Sequence, residues 1–234
     1  MNNKDFRWEI VRMVYAAQDG HIPSAFSVVD ILALLYAECL RVNCQDPKWP
    51  ERDYFILSKG HGRVALYVIL RKHGFLTDED IQLFCKEGGI LGEHPDCTKV
   101  PGVEASTGSL GHGFPFAVGI ALGLRIRGMK NGVYVLVGDG ECHEGTVWEA
   151  ANVANDLQLG NLDQRQLYAR PREGDLTGHI RPRLEAAGSA RGNWPRRKRN
   201  RAVQQPYTVW RQHVCPEVQL SAREGSGGSA DKLS

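Results

Sequence analysis

The sequence predicts an α/β fold built on a doubly wound, mainly parallel sheet. Two observations carry that expectation. The run Val133-Tyr134-Val135-Leu136-Val137 is mostly β-branched or aromatic and is bounded by Gly132 and Gly138, as suits a short buried strand. A glycine-rich acidic turn follows, and then a helical apolar period of Val147, Trp148, Ala150, Ala151, Val153, Ala154 and Leu157. The same order recurs earlier, with Tyr54–Leu57 as strand, Ser58-Lys59-Gly60-His61-Gly62 as turn and Val64–Lys72 as helix. Strand, polar glycine turn and helix, met twice, is the repeating unit of a parallel sheet with crossover helices.

The remaining elements follow in order. Phe6, Ile10, Val11, Val14 and Tyr15 have helical spacing over residues 5–18, ending near Gly20. After the turn Gly20-His21-Ile22-Pro23-Ser24, Ser27 is placed to cap a helix over Val28–Leu40, apolar nearly all round and therefore buried. Residues 43–53 hold two prolines and read as a loop. Thr77-Asp78-Glu79-Asp80 reads as a cap with acids in the first turn of a short helix. Residues 89–98 are loop-like and contain His94-Pro95. Gly108-Ser109-Leu110-Gly111-His112-Gly113 precedes a small-residue apolar helix, Ala117–Leu124.

The turns carry the chemistry. Asp139 emerges at the carboxyl end of its strand, where open α/β sheets place ligands. A lone carboxylate between glycines suits Mg²⁺ held together with ligand phosphates, although a capping Asp in an ordinary connection has the same form. Glycines at 108, 111 and 140 permit close backbone approach to an aromatic ring or a diphosphate. The helix N-terminus adds positive potential there. No Gly-Lys-Ser/Thr ending follows, so this is not a Walker A loop. His21 and His61 sit in polar turns, where a neutral imidazole relays protons or serves only as a loop or helix-entry residue. Lys59 suits a phosphate partner or a solvated loop equally.

The chain has 234 residues, enough for one sizeable domain. Residues 1–162 carry 15 Lys and Arg against 20 Asp and Glu, a balance of −5, whereas residues 163–234 carry 14 against 7, a balance of +7. Six cysteines show no CxxC pair and no zinc spacing, and read as free thiols of a reducing compartment. The first residues lack a signal-peptide apolar region, and no uncharged apolar run approaches ~18 residues. The expected location is cytoplasmic, with no membrane partner.

Gly138-Asp139-Gly140-Glu141-Cys142-His143-Glu144-Gly145, with Val147-Trp148-Glu149-Ala150-Ala151 after it, resembles the thiamine diphosphate motif of transketolases. Ser58-Lys59-Gly60-His61, the block Gly102–Gly113, and Gly20-His21-Ile22 with Ser27 resemble that family too, in the family's order over about residues 5–162. The resemblance is to the N-terminal, diphosphate-binding half, particularly the version made as a separate short subunit. It implies thiamine diphosphate and Mg²⁺ as cofactors and transfer of a two-carbon ketol unit between sugar phosphates. Asp139 would hold the metal. His61, Gly108, Ser109, Leu110, Gly111, Asp139, Gly140 and Glu141 would receive the cofactor. His21, His61 and His94 would line the reacting end, and Glu144 would join a network linking two cofactor sites across a dimer. The pyrimidine-binding half, with the acid that activates the cofactor, would come from a separate C-terminal subunit in a dimer of heterodimers. Pro23 and Gly62 stand where the family usually has Gly and Ala, and His143 where it has Asn or Gln. Deoxyxylulose-phosphate synthase is a less favoured relative.

The resemblance stops after Gly160-Asn161-Leu162. The family has a further apolar strand there, and then an Asn that completes the Mg²⁺ shell, whose position falls near Ala169. Here the sequence reads Asp163-Gln164-Arg165-Gln166-Leu167, and no strand is expected. The division is thus a thiamine diphosphate-binding domain over 1–162 and an Arg-rich tail over 163–234, disordered or the product of a reading-frame change. The basic cluster Pro195–Arg201 lacks interleaved aromatics, which disfavours nucleic acid as a partner. A catalytically impaired remnant, or a binding module without catalysis, is the rival reading.

Overall fold

Alternation along two strands explains the layers. In the computed structural model, which describes residues 3–167, β1 (Tyr54–Leu57) and β2 (Val133–Gly138) run parallel, with Leu57 opposite Leu136. Phe55, Leu57 and Leu136 point into one apolar cluster, while Ile56, Val133, Val135 and Val137 point into another. A strand buried on both faces needs this two-sided apolar pattern.

The first cluster is covered by α1 (Asn3–Ala17), α2 (Ile22–Phe26), α3 (Val29–Leu34) and α4 (Arg63–Lys72). Every residue of α4 from Arg63 to Leu70 is buried, so α4 is the centre of that layer. The short α5 (Asp78–Gln82) lies beside it, and the expected Thr77 cap is present as a reciprocal box with Asp80. The second cluster is covered by α6 (Gly113–Ile126) and α7 (Gly145–Asp156). Helices on both faces of a parallel sheet make the doubly wound arrangement that the sequence predicts.

Two expectations need correction. The helix expected over Val28–Leu40 is present as α3, which widens at Leu35–Cys39 into a broader turn closed by the Leu40 amide on the Leu35 carbonyl at 2.8 Å, but a separate short helix, α2, precedes it. Pro23 starts helical backbone earlier than Ser27, as a first-turn proline does. Ser27 is therefore not an N-cap. Its hydroxyl donates to the Ser24 carbonyl at 2.8 Å, and α3 begins without a side-chain cap.

The second correction concerns the polar run after residue 162. Leu162–Leu167 forms β3, parallel to β2 over the whole of Val133–Gly138, and the sheet order is β1-β2-β3. Strand pairing uses backbone groups, so polar side chains do not prevent it when the neighbours supply the register. Leu159 and Leu162 are buried at the entry, and the Val133 amide donates to the Asn161 carbonyl at 2.8 Å. The expected position of the second metal ligand, Ala169, lies outside the described residues, as does almost all of the basic tail. Among the described residues no helix is long and apolar enough to cross a membrane. Amide hydrogen exchange tests β3 directly. Peptides over residues 162–167 are expected to be protected to the same order as those over 133–138, and exchange at unfolded-chain rates would show that the strand is absent.

Candidate functional site

Three backbone segments meet at the carboxyl ends of β1 and β2. The Ser58 amide donates to the Leu136 carbonyl at 2.9 Å, which carries the ladder one residue beyond β1. The turns at 58–62 and 138–141 consequently leave the sheet side by side. The loop before α6 comes in against them through Thr107, whose hydroxyl donates to the Leu57 carbonyl at 2.7 Å. Two glycines make this meeting possible. A methyl group on Gly60 would sit 2.7 Å from the Thr107 carbonyl oxygen, and one on Gly113 would sit 2.5 Å from Ser58 Oγ.

Glu141 fastens the three segments together. Its side chain is 1% exposed. Oε1 accepts from Ser58 Oγ at 2.5 Å and from the Gly111 amide at 2.9 Å, and Oε2 accepts from the Gly138 amide at 3.0 Å. Hydrogen bonds to an ionised group contribute about 1.5–3 kcal/mol each. A buried carboxylate without such donors would cost several kcal/mol. Gly111 itself has φ +81°, and a methyl group there would meet Thr146 Oγ1 at 2.5 Å and Glu144 Cβ at 2.8 Å. The Thr146 hydroxyl donates to the Gly111 carbonyl at 2.8 Å, so the loop is held from both sides.

Lys59 and Asp139 stand beside this clamp with unequal exposure. Lys59 is buried, and its ammonium donates to Ser27 Oγ at 3.0 Å. Burial lowers its pKa, with Asp139 and then Glu141 acting in the opposite sense. Asp139 is exposed, and its side chain caps nothing in the short turn Gly140–His143 that it precedes. Among the described residues no group of three His, Cys, Asp or Glu is arranged to hold a metal ion. One open carboxylate beside a buried ammonium fits a cation that brings its own oxygen ligands, as Mg²⁺ on a phosphate does.

The histidines gather from separate elements. The His21 and His61 rings lie edge to face with centroids 6.0 Å apart. His94 lies against the glycine loop, where a methyl on Gly108 would be 2.6 Å from its Cδ2. The Thr107 amide, donating to the Pro95 carbonyl at 3.3 Å, ties the two loops together. Partial burial, then Lys59 and His21, hold the His61 imidazole below the ordinary histidine range, so it is neutral at pH 7. Ser109, Leu110, Gly140 and Glu144 are exposed around the same loops, Glu144 at the residue before α7.

Residues 4–168 match the transketolase, thiamine diphosphate-binding domain family. The chain belongs to that family. It is 42% identical over 156 residues to an apulose-4-phosphate transketolase subunit of Phocaeicola vulgatus, covering 67% of this chain and 55% of that protein. It is 37% identical over 163 residues to a 6-deoxy-6-sulfo-D-fructose transketolase subunit of Clostridium sp., covering 70% and 59%. A transketolase from Leishmania mexicana superposes with a TM-score of 0.64 at 33% identity, covering 69% of this chain and 26% of that one. The chain thus spans somewhat over half the length of these two curated subunits.

In this transketolase-family domain the turns singled out in the sequence meet at one place, and several of their side chains find protein partners there. Glu141 is expected beside the cofactor, and its carboxylate accepts from Ser58 and from the Gly111 and Gly138 amides. Ser58 and Thr107 go unnoticed as braces, and only the buried acid they serve would have signalled them. Lys59, open to a solvated reading, is buried on Ser27 instead.

Lys59 gives a pH-dependent prediction. Its lowered folded-state pKa means that the unfolded chain binds the extra proton between that value and 10.5. Stability therefore rises with pH through that window, and the burial penalty is fully present below it. Lys59→Met is expected to melt higher than the parent at pH 7, by about 2–4 °C for each kcal/mol relieved. The difference should vanish toward pH 10.5, the ordinary lysine value. Paired melting curves across that range test it, and a less stable variant at pH 7 would contradict it.

Proposed function

We propose that this chain is the N-terminal subunit of a two-subunit transketolase, binding thiamine diphosphate with Mg²⁺ and transferring a two-carbon ketol unit between sugar phosphates. The observation that carries the reading is the junction of the three loops on Glu141, at the carboxyl ends of two parallel strands, in a chain of this family. The spans matched support the subunit reading, because relatives named as transketolase subunits are themselves short and the chain covers more than half of them. The partner would be a C-terminal subunit carrying the pyrimidine-binding half, and the assembly a dimer of heterodimers.

The positions support the following roles. Asp139 would hold the magnesium through its open carboxylate, and the metal would serve to neutralise the diphosphate charge. Lys59 faces the same charge from the buried side, where its ammonium gains from an arriving anion what it loses by burial. Gly108, Ser109, Leu110, Gly111 and Gly140 offer the backbone of the two turns to the cofactor, and Glu141 holds the glycine loop through the Gly111 amide. His61, with His21 and His94, lines the reacting end, where the neutral His61 imidazole can hydrogen-bond a sugar hydroxyl or move its proton. Glu144 faces outward beside Gly111, open to a partner subunit. Thiamine diphosphate supplies the carbanion chemistry when bound, while the protein orients it and excludes water.

One observation favours a second reading. Ala169 stands where the resemblance places an oxygen ligand for the metal, so the chain would bind the cofactor weakly and serve as an impaired remnant. Calorimetric titration with thiamine diphosphate, with and without MgCl₂, separates the two. The subunit reading expects magnesium-dependent binding, weaker than micromolar for the isolated chain. It expects a loss of about tenfold or more in Asp139→Ala, since one ligand bond is worth at least ~1.4 kcal/mol. No magnesium-dependent heat at millimolar cofactor would overturn it in favour of the remnant.

A further inference from the structure

Arg63 occupies a position that helix physics alone does not favour. It is the first residue of α4, where the positive end of the helix dipole repels a cation. It is also 2% exposed, and burying a charge costs free energy unless a partner offsets it. The partner is Asp19, whose carboxylate accepts from Arg63 Nη2 at 3.1 Å. The guanidinium lies over the Phe84 ring, 5.4 Å from its centroid, and the Cys85 thiol interacts with both members of the pair. Arg63 Nε has no hydrogen-bond partner, and Nη2 is held by Asp19.

The two ends of this pair stand in register with the histidines. Asp19 is two residues before His21, and Arg63 is two residues after His61. Between Asp19 and His21 lies Gly20 at φ +127°, pressed so closely on α1 and α4 that a methyl there would be 2.8 Å from Val14 Cγ2 and 3.2 Å from Val64 Cγ2. The loop carrying His21 has little freedom once Asp19 is fixed. We propose that the Asp19–Arg63 ion pair is a positioning device that sets the spacing of His21 and His61. Neither residue touches the reacting atoms; both act through the histidines. The inference rests on the proposed transketolase function only in taking those histidines as the reacting end.

Nuclear magnetic resonance of the cofactor-free chain tests it without reference to activity. The groups that act on the His61 imidazole are Lys59, His21, Glu141 and His94, and none of these is altered in the variants. The parent is expected to show a ring-to-ring Overhauser contact between His21 and His61, and a His61 titration midpoint below that of an ordinary histidine. Asp19→Asn removes the charge at a partly exposed position. Arg63→Met removes the buried cation while keeping apolar contact with Phe84. Both folded variants should lose the ring contact, and their His61 midpoint should move up toward the ordinary value. Arg63→Lys, which keeps the charge, should retain part of the contact. An unchanged contact and midpoint in both Asp19→Asn and Arg63→Met would overturn the proposal. Cofactor titration can fail without affecting this result, so the two readings fail separately.

Discussion

The buried Glu141 carboxylate is the interaction on which the site depends. It sits where β2 ends and takes its three donors from three different places: the end of β1, the loop before α6, and the backbone at Gly138. Without it the Gly111 and Gly138 amides would lie in a buried environment with no acceptor, each at a cost of about 1–3 kcal/mol. With it the glycine loop cannot drift from the strand ends. Glycines that would otherwise be sources of freedom become points of contact, because Gly60 and Gly113 let neighbouring segments touch without side chains between them.

Around that clamp the charges are arranged unevenly. A buried ammonium with a lowered pKa and an open carboxylate face the same space, together with an imidazole held neutral by its surroundings. The desolvation of Lys59 is a cost that an anion beside it would offset, which is what the proposed diphosphate site requires. The arrangement favours stability less than function. Arg63 likewise is buried at the unfavourable end of α4, offset by Asp19, two residues before His21.

Much of the fold was legible from local pattern. The apolar runs at 54–57 and 133–137 are short and bounded by turn residues, so their assignment as strands depends on little else. The Thr77 box needed only residues three apart. What was not legible depended on partners distant in sequence. Leu162–Leu167 is a strand because β2 offers it a backbone ladder, not because its side chains favour one. Ser27 serves Lys59 across 32 residues rather than capping its own helix. Lys59, Ser58 and Thr107 likewise acquire their roles from contacts that no spacing rule foretells. Family motifs single out these turns, whereas only burial shows that Glu141 joins them from within.

The most direct test of the Glu141 clamp is amide hydrogen exchange at Gly111 and Gly138 in Glu141→Gln. The amide side chain keeps the size of the carboxylate but has only one acceptor oxygen, so it cannot receive both glycine amides. A clamp of this kind predicts that at least one of the two exchanges about tenfold faster or more, equivalent to ~1.4 kcal/mol, while Tyr54–Leu57 exchange as before. Unchanged exchange at both glycines in a folded Glu141→Gln chain would contradict the claim that this carboxylate holds the site together.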